Sequence, residues 1–185
     1  MSSAERYDRL SETIRAVLQA PTVDDVVRAI ARSFRAAFGL WRVSIVRVLP
    51  DRRALIVAVW AVGEPALEPG TEIPIDLTER TAEIADDLSA GRALLLDPAA
   101  GGMGLVSDIY RREGIRAWLA LPIMEDGQAL AILNLASGDR DAFAAADLPF
   151  FRGLAAGISA RVAELLRDGS RSVHPAGRDR EEDEP

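Results

Sequence analysis

Two polar side chains stand inside strand-like runs that are otherwise apolar. Asn134 lies in Ala131-Ile132-Leu133-Asn134-Leu135-Ala136-Ser137, and Ser44 lies in Val43-Ser44-Ile45-Val46. Alternation along an extended strand puts Ile132, Asn134 and Ala136 on one face, with Leu133 and Leu135 on the other. It likewise puts Ser44 with Val46 and Val48. A carboxamide or hydroxyl so placed costs free energy unless it finds a hydrogen-bond partner. That partner is either a buried group of the protein itself or a bound molecule. Together these residues suit non-covalent recognition of a small molecule. The competing reading is a pocket filled by Trp60, Trp118, Met103 and Tyr110 themselves, in a ligand-free interaction module.

The residue inventory limits the chemistry further. The 185-residue chain has no cysteine and no lysine, and its single histidine is His174. A thiolate nucleophile, a Ser–His–Asp triad, a Schiff-base lysine and a P-loop lysine are all missing by residue type. A Cys/His zinc site has no ligands, and haem or bilin lacks its usual His or Cys anchor. Asp76, Asp97, Glu125 and Asp126 fall at expected turns or caps, ordinary places for carboxylates. Gly101-Gly102-Met103-Gly104 reads as a mobile lid loop before a helix. We therefore expect no catalytic residue, no metal, no cofactor and no enzymatic activity.

The net charge of −7 opposes nucleic-acid binding, which needs a basic face. No apolar run approaches the roughly 18 residues of a membrane span, and the N-terminus lacks the apolar stretch of a signal peptide. The expected location is cytoplasmic, with neither membrane nor nucleic acid as partner.

Regular elements must position these side chains. A helix is predicted over residues 3–19, with Leu10, Ile14, Val17 and Leu18 as its apolar stripe. Pro21 breaks it. Thr22, with Asp25 three residues on, opens a second helix whose buried face is Val26, Val27, Ile30, Phe34 and Phe38, and Gly39 ends it. Residues 41–49 and 54–62 predict a hairpin. A short strand follows at 71–75, where Pro74 implies a sheet edge. Residues 78–90 predict a helix, 92–97 a strand and 105–113 a short helix. A second hairpin, 117–124 and 129–137, turns on Asp126-Gly127. The last helix spans 144–167. The fold class is α+β, with a central antiparallel sheet of five or six strands and helices against it. Residues 1–168 form one domain, and residues 169–185, rich in charge, Pro and Ser, read as a disordered tail.

Gly114-Ile115-Arg116-Ala117-Trp118-Leu119-Ala120-Leu121-Pro122-Ile123 resembles the GAF-domain strand that ends in an apolar-Pro-apolar step. The likeness continues through Asp126-Gly127, Ala131 to Ser137, Phe143, Asp147-Leu148 and Leu154-Ala155. Upstream, Gly91-Arg92-Ala93-Leu94-Leu95-Leu96-Asp97 is similar to the family's Gly-Arg-Pro strand. The resemblance covers roughly Leu10 to Leu166. It implies N- and C-terminal helices on one sheet face, and short helices and loops over a ligand pocket on the other. It also implies ligand-binding roles for Ser44, Trp60, Tyr110, Trp118 and Asn134. Ser137-Gly138 stands where cyclic-nucleotide-binding members carry Asn-Lys, and Ala144-Ala145-Ala146 follows Phe143 where they carry Asp. The cysteines of methionine-sulfoxide-reducing and bilin-attaching members have no counterpart.

Leu148, Phe151, Ala155, Ile158, Val162 and Leu165 recur at spacings of three and four, a heptad-like seam on the last helix. The stripe serves either the sheet or a second copy. With the family's habit of pairing through terminal helices, it implies a homodimer. The expected function is a small-molecule-binding sensory or regulatory domain that dimerises and signals to a separate partner protein.

Overall fold

In the computed structural model, which describes residues 3–49, 53–74, 79–100 and 104–172, the chain opens with two helices. These are α1 (Ser3–Leu18) and α2 (Val23–Phe38). The Thr22 side chain accepts a hydrogen bond from the Asp25 N–H, satisfying one orphan donor at the start of α2. Gly39 ends the helix at φ 56 and donates its N–H to the Arg35 carbonyl. That left-handed backbone is the reason for a glycine there.

The strands are β1 (Leu40–Val48), β2 (Arg53–Ala61), β3 (Glu72–Pro74), β4 (Leu94–Leu96), β5 (Ala117–Glu125) and β6 (Gln128–Ser137). Between them lie α3 (Glu79–Ser89) and α4 (Gly104–Arg112), and α5 (Leu148–Ser172) closes the fold. The sheet order is β3-β2-β1-β6-β5-β4, and every pairing is antiparallel. β3 is an edge strand, as Pro74 requires, since its missing N–H then removes no ladder bond. Asp126 and Gly127 take φ 49 and 79, the two-residue turn that matches the twist of β5 and β6. The turn at residues 50–52 lies outside the described residues.

The sheet separates two apolar clusters. α1, α2 and α5 cover one face, where Val43, Ile45, Leu119, Leu121, Leu133 and Leu135 meet Ile30, Phe34, Phe151 and Ile158. α3 and α4 cover the other, where Val46, Ile56, Trp118, Ala120 and Ala136 meet Leu88 and Tyr110. The stripe on α5 is spent inside the chain. Phe151, Ala155, Ile158, Val162 and Leu165 are all buried against the sheet and the other terminal helices. Of the two uses open to the stripe, the structure shows packing on the sheet: the wide stripe of a helix lying on a sheet has the same three-and-four spacing as a coiled-coil seam. α1 lies close on α5, where Ile14 rests against Gly157 and Leu10 against Gly153. Arg6 pairs with Asp147 at one end of this contact.

α5 runs to Ser172, past the expected start of the tail at Gly169. Residues 173–185, with His174, lie outside the described residues. Among the described residues no helix is long and apolar enough to cross a membrane.

Candidate functional site

The face under α3 and α4 encloses a cavity of about 400 Å³. Its floor is β1, β6 and β5, and Ile84, Leu88, Leu96, Val106 and Ile132 supply apolar wall. Size and lining both fit the usual small-molecule site, mostly apolar with a few polar groups. Asn134, Trp118 and Tyr110 all line it. The Trp118 indole N–H donates to Asn134 Oδ1 at 2.8 Å, a buried bond. This bond satisfies the carboxamide oxygen and leaves the amide nitrogen of Asn134 uncommitted to it. Tyr110 meets Trp118 edge to face, centroids 4.8 Å apart at 63°.

A charge lies behind this wall. Arg42, on β1, is 1% exposed. Its Nη1 stands 3.3 Å from both Glu113 oxygens, and its Nη2 donates to the Leu67 carbonyl at 2.9 Å. Glu113 Oε1 also accepts from the Ala66 N–H at 2.7 Å. The pair thus ties the end of α4 to the loop at residues 64–70. A buried arginine is costly unless its charge is matched, and Glu113 matches that of Arg42. Here the guanidinium carbon lies 5.6 Å from the Tyr110 ring centre. Burial pushes the Tyr110 phenol above its ordinary pKa. The Arg42 charge opposes that rise, the Glu113 charge adds to it, and Ser44 and Arg42 at the hydroxyl hold it back. Ser44 is fully buried. Its Oγ and Arg42 Nε are buried polar atoms that complete no hydrogen bond of normal geometry.

The structure brings four of the five expected site residues together. Trp118, Asn134 and Tyr110 line the cavity, and Ser44 is the cross-strand partner of Asn134 on the same face. Trp60 is the exception. It lies on the opposite face with the terminal helices, and the Arg35 guanidinium sits 5.6 Å over its ring. The reason is a bulge. Ile45 pairs with Ala58 and Val46 with Ile56, so Val57 is an extra residue in β2. One inserted residue inverts the phase of alternation, turning Ala58 and Trp60 away from the face that Ile56 occupies. The open cavity also speaks against a pocket filled by its own side chains. Met103, Asp76 and Gly101-Gly102 lie outside the described residues. Asp97 accepts from the Ala99 N–H and Asp126 forms the hairpin turn, both structural uses.

Sequence reasoning missed Arg42 and Glu113. The readable signal was phase: Arg42 is two residues before Ser44, so an inward Ser44 makes Arg42 inward too. Its partner, 71 positions on, was not legible. Among the described residues no cluster of His, Asp and Glu has the arrangement of a metal site.

Comparison with known proteins agrees with this architecture. The GAF domain family model matches residues 20–163. No curated protein matches the chain. Among solved structures, the GAF domain of a phosphoenolpyruvate-protein phosphotransferase from Coxiella burnetii is similar at TM-score 0.71. Its identity is 16%, over 92% of this chain and 99% of that one. A phycoerythrobilin-bound GAF domain from a cyanobacterial phytochrome is similar at TM-score 0.66 and 14% identity, over 91% and 100%. A phycocyanobilin-bound GAF domain from a cyanobacterial phytochrome is similar at TM-score 0.65 and 15% identity, over 88% and 96%. With the family model spanning most of its length and the fold shared throughout, the chain belongs to the GAF domain family.

Proposed function

We propose that this GAF domain is a non-catalytic sensor that binds one small molecule in the cavity under α3 and α4. The observation that carries the reading is the cavity itself, about 400 Å³ and open, with Asn134, Trp118 and Tyr110 on its wall. An evolved core closes such voids because each costs stability. Binding orders α4 and, through Glu113, the loop at 64–70, so a ligand has a route to shift a conformational equilibrium. The output is a separate partner protein, met in the cytoplasm.

The molecule proposed for the cavity is not a bilin. The chain has no cysteine for a thioether, and among the described residues the cavity lining has no cationic side chain to match propionate groups. Homodimerisation belongs to the same proposal. The apolar stripe of α5 is internal, so a second copy meets the outer surface of the terminal helices, where Tyr7 and Leu18 are exposed.

Native mass spectrometry of freshly purified protein tests both parts at once. The expected spectrum is a dimer that releases a small molecule on denaturation. A monomer contradicts the dimer. No released molecule, combined with no thermal shift across a library of small aromatics and organic acids, contradicts the sensor.

A further inference from the structure

The inner corner of the cavity is unusual in which hydrogen-bonding groups it leaves over. Each acceptor with a fixed role there already has a donor. Asn134 Oδ1 takes the Trp118 indole. Glu113 takes Arg42 and the Ala66 N–H, and the Leu67 carbonyl takes Arg42 Nη2. What remains is donor capacity: Arg42 Nε–H and the Ser44 hydroxyl, both buried and completing no hydrogen bond of normal geometry, with the Tyr110 hydroxyl, which Ser44 and Arg42 flank, and the Asn134 amide beside them. Ser44 and Asn134 face each other across β1 and β6, which puts their Cβ atoms about 5 Å apart. One acceptor atom can therefore meet both. Tyr110 lines the cavity and also stacks on Arg42, so its ring is the partition between the cavity and these donors.

Charge decides which acceptor suits this corner. Arg42 is matched by Glu113, so the pair is neutral. A carboxylate brought alongside would leave the corner net negative in a site with little water to screen it, whereas an uncharged carbonyl keeps the balance. Resting on the ligand-binding reading above, we propose that this corner recognises an uncharged carbonyl carried on a flat apolar body. Glu113 sets that preference by neutralising Arg42. The Tyr110 ring moves aside to admit the carbonyl oxygen, which accepts from Ser44 and from Arg42 Nε.

Three probes of one shape test this by calorimetric titration of the whole protein: 2-acetylnaphthalene, 2-naphthoate and 2-ethylnaphthalene. The acetyl compound is expected to bind roughly 10-fold tighter than either of the others, the worth of one or two buried hydrogen bonds. Glu113→Gln leaves Arg42 cationic, and the order then inverts, with 2-naphthoate the tightest. Ser44→Ala keeps the fold if the first variant does not. It is expected to reduce the acetyl advantage to about 3-fold or less, because one donor is gone. Wild-type protein that binds 2-naphthoate as tightly as the ketone overturns the proposal. So does an order unchanged in a folded Glu113→Gln, or a full acetyl advantage in Ser44→Ala. Binding of 2-ethylnaphthalene with no acetyl advantage sinks the proposal but leaves the cavity reading standing. Binding of none of the three sinks both.

Discussion

The two faces of the sheet are filled by different chemistry. Under the terminal helices lie all five phenylalanines of the chain, Phe34, Phe38, Phe143, Phe150 and Phe151, in one edge-to-face cluster. Phe38 and Phe151 stand 4.9 Å apart. This face has little polar content, and its helices rest on each other through Gly153 and Gly157. Under α3 and α4 lie a tyrosine, a tryptophan, an asparagine, a serine and a buried arginine around an open cavity. A domain of this size needs only one close-packed core to fold. The second face is thereby freed to keep a void and buried polar groups, and it is where the proposed ligand site lies. One layer holds the protein together, and the other carries the selectivity proposed above.

The comparison breaks first if the helical face is not the stabilising one. Phe151→Ala empties the centre of the cluster and is expected to cost about 3–5 kcal/mol, by chemical denaturation. Ile132→Ala, on a wall that already borders a void, is expected to cost about 1–2 kcal/mol, because less packing is lost. Equal losses contradict the division. Next in size is the ion pair. Glu113→Gln strands a buried guanidinium and is expected to destabilise by about 2 kcal/mol at neutral pH. Adding Arg42→Met to it should recover much of that loss, since no buried charge then remains unmatched.

Tyr110 sharpens the contrast through pH. Its phenol is protonated more strongly in the folded protein than in the unfolded chain. The stability it brings is therefore complete below the ordinary phenol pKa of about 10 and is lost as pH rises above it. Denaturation midpoints measured at rising alkaline pH should fall less steeply in Tyr110→Phe than in the parent. The smallest effect is Ser44→Ala. Its hydroxyl is buried and completes no hydrogen bond of normal geometry, though it flanks the Tyr110 phenol, so its removal is expected to change stability by at most about 1 kcal/mol, in the stabilising direction. A clear loss would mean that the hydroxyl makes a full hydrogen bond to Tyr110 in solution.

Most of the frame was legible because local signals agreed with the global fold. Thr22 with Asp25, Gly39, Asp126-Gly127 and Pro74 each mark a boundary by a backbone requirement that only a few residue types meet. The site was legible where alternation held. Asn134, Ser44 and Trp118 keep phase within their strands. Trp60 was assigned from the resemblance alone, and the bulge at Val57 that turns it to the other face leaves no mark in a run of similar apolar residues. The α5 stripe was ambiguous because spacing gives its width and not what covers it. Arg42 was overlooked because a lone arginine in a strand reads as solvent-facing until its distant partner, Glu113, is known.

The three tryptophans report on the two regions separately. Trp118 lines the cavity, while Trp41 and Trp60 border the groove beside α2 on the other side of the sheet. The most direct test of a ligand site under α3 and α4 is a nitrogen–proton correlation spectrum of the indole resonances during titration with 2-acetylnaphthalene. The predicted result is a saturable shift of the Trp118 indole signal, with those of Trp41 and Trp60 unmoved. A shift confined to Trp41 and Trp60, or no shift at all, would contradict the site.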